Sequence, residues 1–206
     1  MHRFVLCILL SLACAFTCHA DEGGPCVPDR AQRLALPQAE FDQNLGHGWR
    51  EIGDRPGCEG AAADLLRDYR LAHADADARN LSNLYWHEAQ LRAFIGETAH
   101  AIELMEKSRV PAGEVDRIGW NPYVDATTAF LRGDTAALGR ARDALATVPP
   151  SPDMPPVKDG FIEMTSPRGR VMRMRWPMNL DVVDGLVRCV GKPYREAYGD
   201  PACRTP

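Results

Sequence analysis

Trp86-His87-Glu88 is the densest grouping of side chains able to do chemistry in this 206-residue chain. It falls on a stretch with helical periodicity, and His100 follows beyond a turn marked by Gly96. A helix presenting His87 beside a partner helix that carries His100, with Glu88 adjacent, has the residue types of a general acid–base pair. Tyr85, Trp86 and His87, beside Tyr123 of a later helix, equally have the types that line a binding groove. The plainer reading leaves both histidines as surface residues or satisfied by a neighbouring carbonyl.

Other catalytic chemistry finds no support. There is no Gly-x-Ser-x-Gly, and beyond the leader the only serines are Ser82, Ser108, Ser151 and Ser166. His87-Glu88 lacks the second histidine of a zincin, because Leu91 stands in that place. No glycine loop suited to phosphate follows a strand, so no nucleotide cofactor is expected. His73-Ala-Asp75-Ala-Asp77 spaces three possible ligands alternately, but it lacks the glycine and distal glutamate of a calcium loop and reads as a solvated connection. No metal site and no cofactor are therefore expected. The chain carries a net charge of −4, which argues against a general nucleic-acid binder. Arg168, Arg170, Arg173 and Arg175 are a local exception. They suit docking of an anionic partner, or the charge that protects an exposed strand from edge pairing.

Met1-His2-Arg3, the 13-residue apolar run Phe4 to Phe16 and then Thr17-Cys18-His19-Ala20 have the layout of a secretory signal peptide, residues 1–20, cleaved after Ala20. An uncleaved anchor is the alternative, but the run falls short of the ~20 residues a membrane-spanning helix requires. No later stretch approaches that length, so no membrane span is expected after cleavage. Export, to the periplasm or beyond, is the expected destination. Three of the seven cysteines leave with the leader, and Cys26, Cys58, Cys189 and Cys203 remain. An even number in an oxidising compartment reads as two disulfides. Cys26–Cys58 and Cys189–Cys203 are the favoured pairing, since each closes a local loop at one end of the chain.

These residues need elements to position them. Gln38 to Asn44 suits a short helix, and Gly46-His47-Gly48-Trp49 a glycine-flanked turn that packs an aromatic. From Glu59 onward Ala62, Leu65, Leu66, Tyr69 and Ala72 form one apolar stripe. A helix from about Asn80 to Ile95 is apolar on more than one face, and Thr98 to Ser108 forms its antiparallel partner, with Ala99, Ala101, Ile102 and Met105 inward. Tyr123 to Leu131 and Ala137 to Leu145 repeat the arrangement about Gly133-Asp134, and Pro149-Pro150 stops it.

Residues 149–160 read as a proline-rich linker. Residues 161–176 read as a β-hairpin with a three-residue loop of Pro167, Arg168 and Gly169. That loop pairs Met164 with Met172, Ile162 with Met174 and Glu163 with Arg173. It gathers Ile162, Met164, Met172, Met174 and Trp176 on one face. Asn179 is placed as the cap of a last helix with Val182, Val183, Leu186, Val187 and Val190 as its stripe, ended by Gly191; residues 179–203 thus form a C-terminal helix and disulfide cap.

The two helix–turn–helix units resemble tetratricopeptide repeats over about residues 58–150. With Gly96 and Gly133 on the turn glycine, Tyr85, Ala89 and Ala101 match in the first unit and Ala126 and Pro150 in the second. Glu88, Arg92, Asp125 and Leu138 depart from the pattern, standing where Leu, Tyr, Leu and Ala are usual. The fold class expected is mainly α: antiparallel helix pairs of a tetratricopeptide-like α-solenoid fragment, or else an unrelated bundle, over residues 58–148, with the hairpin and final helix following. The resemblance implies a protein-binding or scaffold role, with a protein partner in the cell envelope. An inhibitor or immunity protein for a secreted effector is the alternative, as is an enzyme using His87, Glu88 or His100.

Overall fold

The computed structural model describes residues 26–165, 169 and 171–204. The expected signal peptide and the two hairpin arginines Arg168 and Arg170 lie outside the described residues.

Three short helices come first: α1 (Arg30–Leu34), α2 (Gln38–Phe41) and α3 (Arg50–Gly53). Five longer ones follow: α4 (Glu59–Ala72), α5 (Ala78–Phe94), α6 (Thr98–Lys107), α7 (Trp120–Arg132) and α8 (Thr135–Ala146). Strands β1 (Phe161–Thr165) and β2 (Val171–Arg175) precede α9 (Leu180–Arg188), α10 (Tyr194–Gly199) and α11 (Pro201–Arg204). The chain is therefore mainly helical, with one antiparallel hairpin.

The α5–α6 and α7–α8 turns use one device. Gly96 and Gly133 adopt φ of +83° and +72°, and the next amide reaches back to Arg92 O and Ala129 O respectively. At the other helix ends, Asp77 caps α5 by accepting from the Asn80 amide at 3.0 Å, and Asp134 caps α8 by accepting from Ala137 at 2.8 Å. Asp77 thus caps α5, and no cluster of three His, Cys, Asp or Glu side chains suited to a metal occurs among the described residues.

Two apolar cores meet on α5, which explains why its sequence lacks a single apolar face. One joins α4 and α5 to the N-terminal helices through Phe41, Ile52, Leu65, Leu66 and Leu84. The other joins α5 to α6–α10 through Trp86, Met105, Tyr123, Leu145 and Leu186, and Phe94 packs against both. Within the expected stripes, Ala72 and Ala99 turn out to be exposed, while Leu104 takes an inward place on α6.

The C-terminal helix departs from expectation at both ends. Asn179 precedes α9 in a left-handed conformation, φ +63°, without a side-chain cap bond. The helix stops at Arg188, and Cys189 is buried against Cys203. Val187, on the outer side of α9, and Val190, beyond its end, are exposed, so the buried stripe stops at Leu186.

Both disulfides form as expected, Cys26–Cys58 with Cα atoms 5.6 Å apart and Cys189–Cys203 with Cα atoms 5.8 Å apart. The first anchors the N-terminal helices to the start of α4, and the second closes the C-terminal cap. Intact mass of the purified chain should rise by four hydrogens on reduction, and alkylation without reductant should label none of these four cysteines; four free thiols would contradict the pairing.

The hairpin has the expected register: Met164 faces Met172, Ile162 faces Met174 and Glu163 faces Arg173. Gly169 has φ +77°, as the turn chemistry requires. The base of the hairpin is fixed. Ile162 and Trp176 are buried, the Trp176 indole donates to Val148 O at the end of α8 (3.2 Å), and the Trp176 amide donates to Gly160 O (2.8 Å). Its outer half is less covered, with Met164 37% and Val171 61% exposed.

Candidate functional site

The sequence-predicted residues separate into three environments. Trp86 and Tyr123 do not line a groove. Both are buried, and their rings pack 4.8 Å apart with Trp120 closing the cluster at 4.9 and 5.7 Å. They are core because the α5–α7 contact needs bulk there, and burial pushes the Tyr123 phenol well above its usual range. Tyr85 alone of the aromatic set is half-buried. Its ring carries the Arg70 guanidinium at 4.2 Å and the Lys107 ammonium at 5.9 Å.

The acid–base grouping of His87, Glu88 and His100 is not assembled either, because each has its own partners. Glu88 is fully buried between Arg70, 2.9 Å away, and Arg92, 3.8 Å away. Arg92 also reaches Asp64 and Glu97. His100 is half-exposed beside Glu97 at 3.7 Å. Glu88 and Arg92, two of the four departures from the repeat pattern, are therefore a buried ionic layer between α4 and α5. Such a layer requires all its partners.

His87 enters a different constellation, supplied by a segment that contained no sequence-predicted site residue. After α2 the chain doubles back so that the Trp49 amide donates to Phe41 O at 3.2 Å. Gly48 makes that return possible. Its φ is +64°, and a Cβ there would lie 1.9 Å from Phe41 O. Arg33 donates to Gly48 O at 2.6 Å and holds the turn closed. The return brings the Trp49 indole N–H to Asp42 Oδ1 at 2.8 Å, and α5 delivers His87 Nδ1 to the same oxygen at 2.6 Å. A carboxylate only accepts, so Nδ1 carries the proton. On the other side of the ring, Arg50 Nη2 lies 3.3 Å from Nε2, and a guanidinium only donates, so Nε2 accepts in the neutral ring.

Asp42 has no exposed side-chain surface, whereas His87 retains 17% and Arg50 16%. Burial acts to raise the Asp42 carboxyl. The hydrogen bonds from His87 and the Trp49 indole, with the Arg50 charge, outweigh it and hold the group below the usual aspartate range. Arg50 lies over the Trp49 ring at 4.3 Å and donates to the Asp42 carbonyl. Burial pulls its guanidinium below its usual range despite the charges of Asp42 and Asp54.

His87 and Arg50 border a cleft of about 490 Å³ between α3, α5 and α10. Arg195 faces them from α10, held 2.6 Å from Glu59 and lying over the Phe94 ring at 5.0 Å. Asp42 itself could not be singled out from the sequence. It stands at the end of a four-residue helix, and only the glycine-flanked turn toward Trp49 hinted that something was being placed.

A second cationic surface lies on the hairpin. Arg173 and Arg175 are exposed on one face of β2, with Arg173 over the Phe161 ring at 4.0 Å. No family model matches the chain, and neither the curated proteins nor the solved structures give a match.

Proposed function

We propose that this is an exported binding module of the cell envelope whose hairpin engages an acidic protein partner. The observation that carries the reading is the hairpin register, which anchors Ile162 and Trp176 at the base and turns Arg173 and Arg175 outward together. The residues 158–176 contain five Lys or Arg and two Asp or Glu on a chain whose net charge is −4. Such contrast favours encounter with an acidic face and sets orientation. Exposed Val171, two residues before Arg173 on the same face of β2, supplies apolar area next to the cations, as a contact surface requires. Paired disulfides agree with an oxidising compartment, and no described helix is long and apolar enough to cross a membrane. An inhibitor or immunity protein would use the same surface with one tight partner.

The decisive experiment is a crosslinked capture of the tagged mature chain from its own envelope fraction, repeated with Arg173→Glu/Arg175→Glu. The double variant should keep its melting temperature, because both side chains are exposed, and lose at least ~10-fold in affinity for the captured partner. Unchanged affinity in the folded variant removes the hairpin from the interface.

A further inference from the structure

We propose that the cleft bordered by Arg50, His87 and Arg195 binds a small organic molecule through an oxyanion group, a carboxylate or a phosphate or sulfate ester. This is independent of the hairpin reading and rests on other residues.

The two arginines carry the inference. Each lies over an aromatic ring, Arg50 over Trp49 at 4.3 Å and Arg195 over Phe94 at 5.0 Å. Stacking fixes the plane of a guanidinium and presents its N–H edge, the geometry in which arginine recognises oxyanions. A guanidinium has five N–H donors. Arg50 directs donors to the Asp42 carbonyl and to His87 Nε2, and Arg195 directs one to Glu59. Both therefore retain donors at the cleft.

The acceptors nearby are mostly engaged. Asp42 is enclosed behind Arg50 and holds His87 and Trp49, and Glu59 is committed to Arg195. Glu59 is also held below the usual glutamate range, first by its own backbone N–H and then by Arg195. Asp54 is the exposed carboxylate at the cleft, where solvent screens its repulsion. Donors thus outnumber available acceptors, which selects an anion over a cation. A volume of about 490 Å³ lies in the range of small-molecule sites, and Leu91, Phe94 and Tyr198 offer apolar wall for the organic body.

The chain has four tryptophans, and their indole N–H signals report on separate places. Trp49 adjoins the cleft, Trp86 and Trp120 lie in the core about Tyr123, and Trp176 is at the hairpin base. Titrating the mature protein with sodium sulfate and, separately, sodium acetate, against sodium chloride at matched ionic strength, should move the Trp49 signal saturably and leave the other three in place. The stronger of the two probes identifies the source, tetrahedral ester or planar carboxylate. Arg195→Gln, at a side chain 49% exposed, should weaken the response ~10-fold while the protein stays folded at the titration temperature, checked by its circular dichroism. Arg173→Glu/Arg175→Glu should leave it intact. No saturable Trp49 shift with either probe, equal shifts at all four indoles, or a full response in Arg195→Gln overturns the proposal.

Discussion

Trp86→Ala should destabilise the protein by about 3–5 kcal/mol, the range for truncating a buried large aromatic. Trp86 is 4% exposed, and its indole packs on Trp120 and Tyr123 where α5 meets α7. Removing it deletes contacts on both helices and leaves a cavity that Tyr123, itself enclosed, has little freedom to fill. Urea unfolding followed by circular dichroism measures the change, read as a shift in midpoint at constant slope. Tyr85→Ala is the control one position earlier. Its ring is half-buried beneath Arg70 and Lys107, so the loss should be smaller, about 1 kcal/mol. The contrast separates a core from a groove. If Trp86→Ala leaves the midpoint unmoved, the aromatic cluster is not holding α5 to α7.

The features legible in the sequence are those set by local chemistry. Gly96 and Gly133 mark turns because a left-handed residue is needed there whatever lies further away. The hairpin register is the one that the sequence Pro167-Arg168-Gly169 and the alternation of Ile162, Met164, Met172 and Met174 both predict. Each disulfide joins cysteines within one end of the chain, so loop closure favours it over the crossed pairings.

What the sequence conceals is set by juxtaposition. His87 meets Asp42 across 45 residues, and Arg50 across 37. Periodicity carries no information about which polar residue a helix will meet. Glu88 and Arg92 read as breaks in a repeat because their type opposes burial. They are inside because Arg70, Asp64 and Glu97 are placed to pair with them. Trp86 and Tyr123 mislead in the opposite sense, since an aromatic at helical spacing fits a core or a groove equally well until its neighbours are known.

Asp42→Ala should cost about 3–5 kcal/mol, the scale of removing one member of a buried charged pair, and should also loosen the cleft. Its carboxylate is the common acceptor for the Trp49 indole and His87 Nδ1, and it lies 3.8 Å from Arg50. Without it, an indole N–H and an imidazole N–H are left buried without an acceptor, and Arg50 loses the charge behind it. Asp42→Asn keeps the shape and one acceptor oxygen, so its loss should be smaller, about 1–3 kcal/mol. The pH dependence then separates charge from packing. The folded-state pKa of Asp42 lies below its unfolded value, so its ionised form contributes stability that is present above the usual aspartate range, about pH 4. That contribution disappears as pH falls through the lower folded value. Wild type should therefore lose stability steeply from about pH 4 downward, with Asp29, Asp68 and Glu106 adding to the slope, since pairing with arginines holds each of them down. In Asp42→Asn the slope should be shallower and the gap to wild type should narrow as the pH falls below the usual aspartate range, because protonated wild type approaches the same neutral state. Parallel curves across that window would mean that Asp42 acts through shape alone, and that the Trp49–Asp42–His87 arrangement does not depend on its charge.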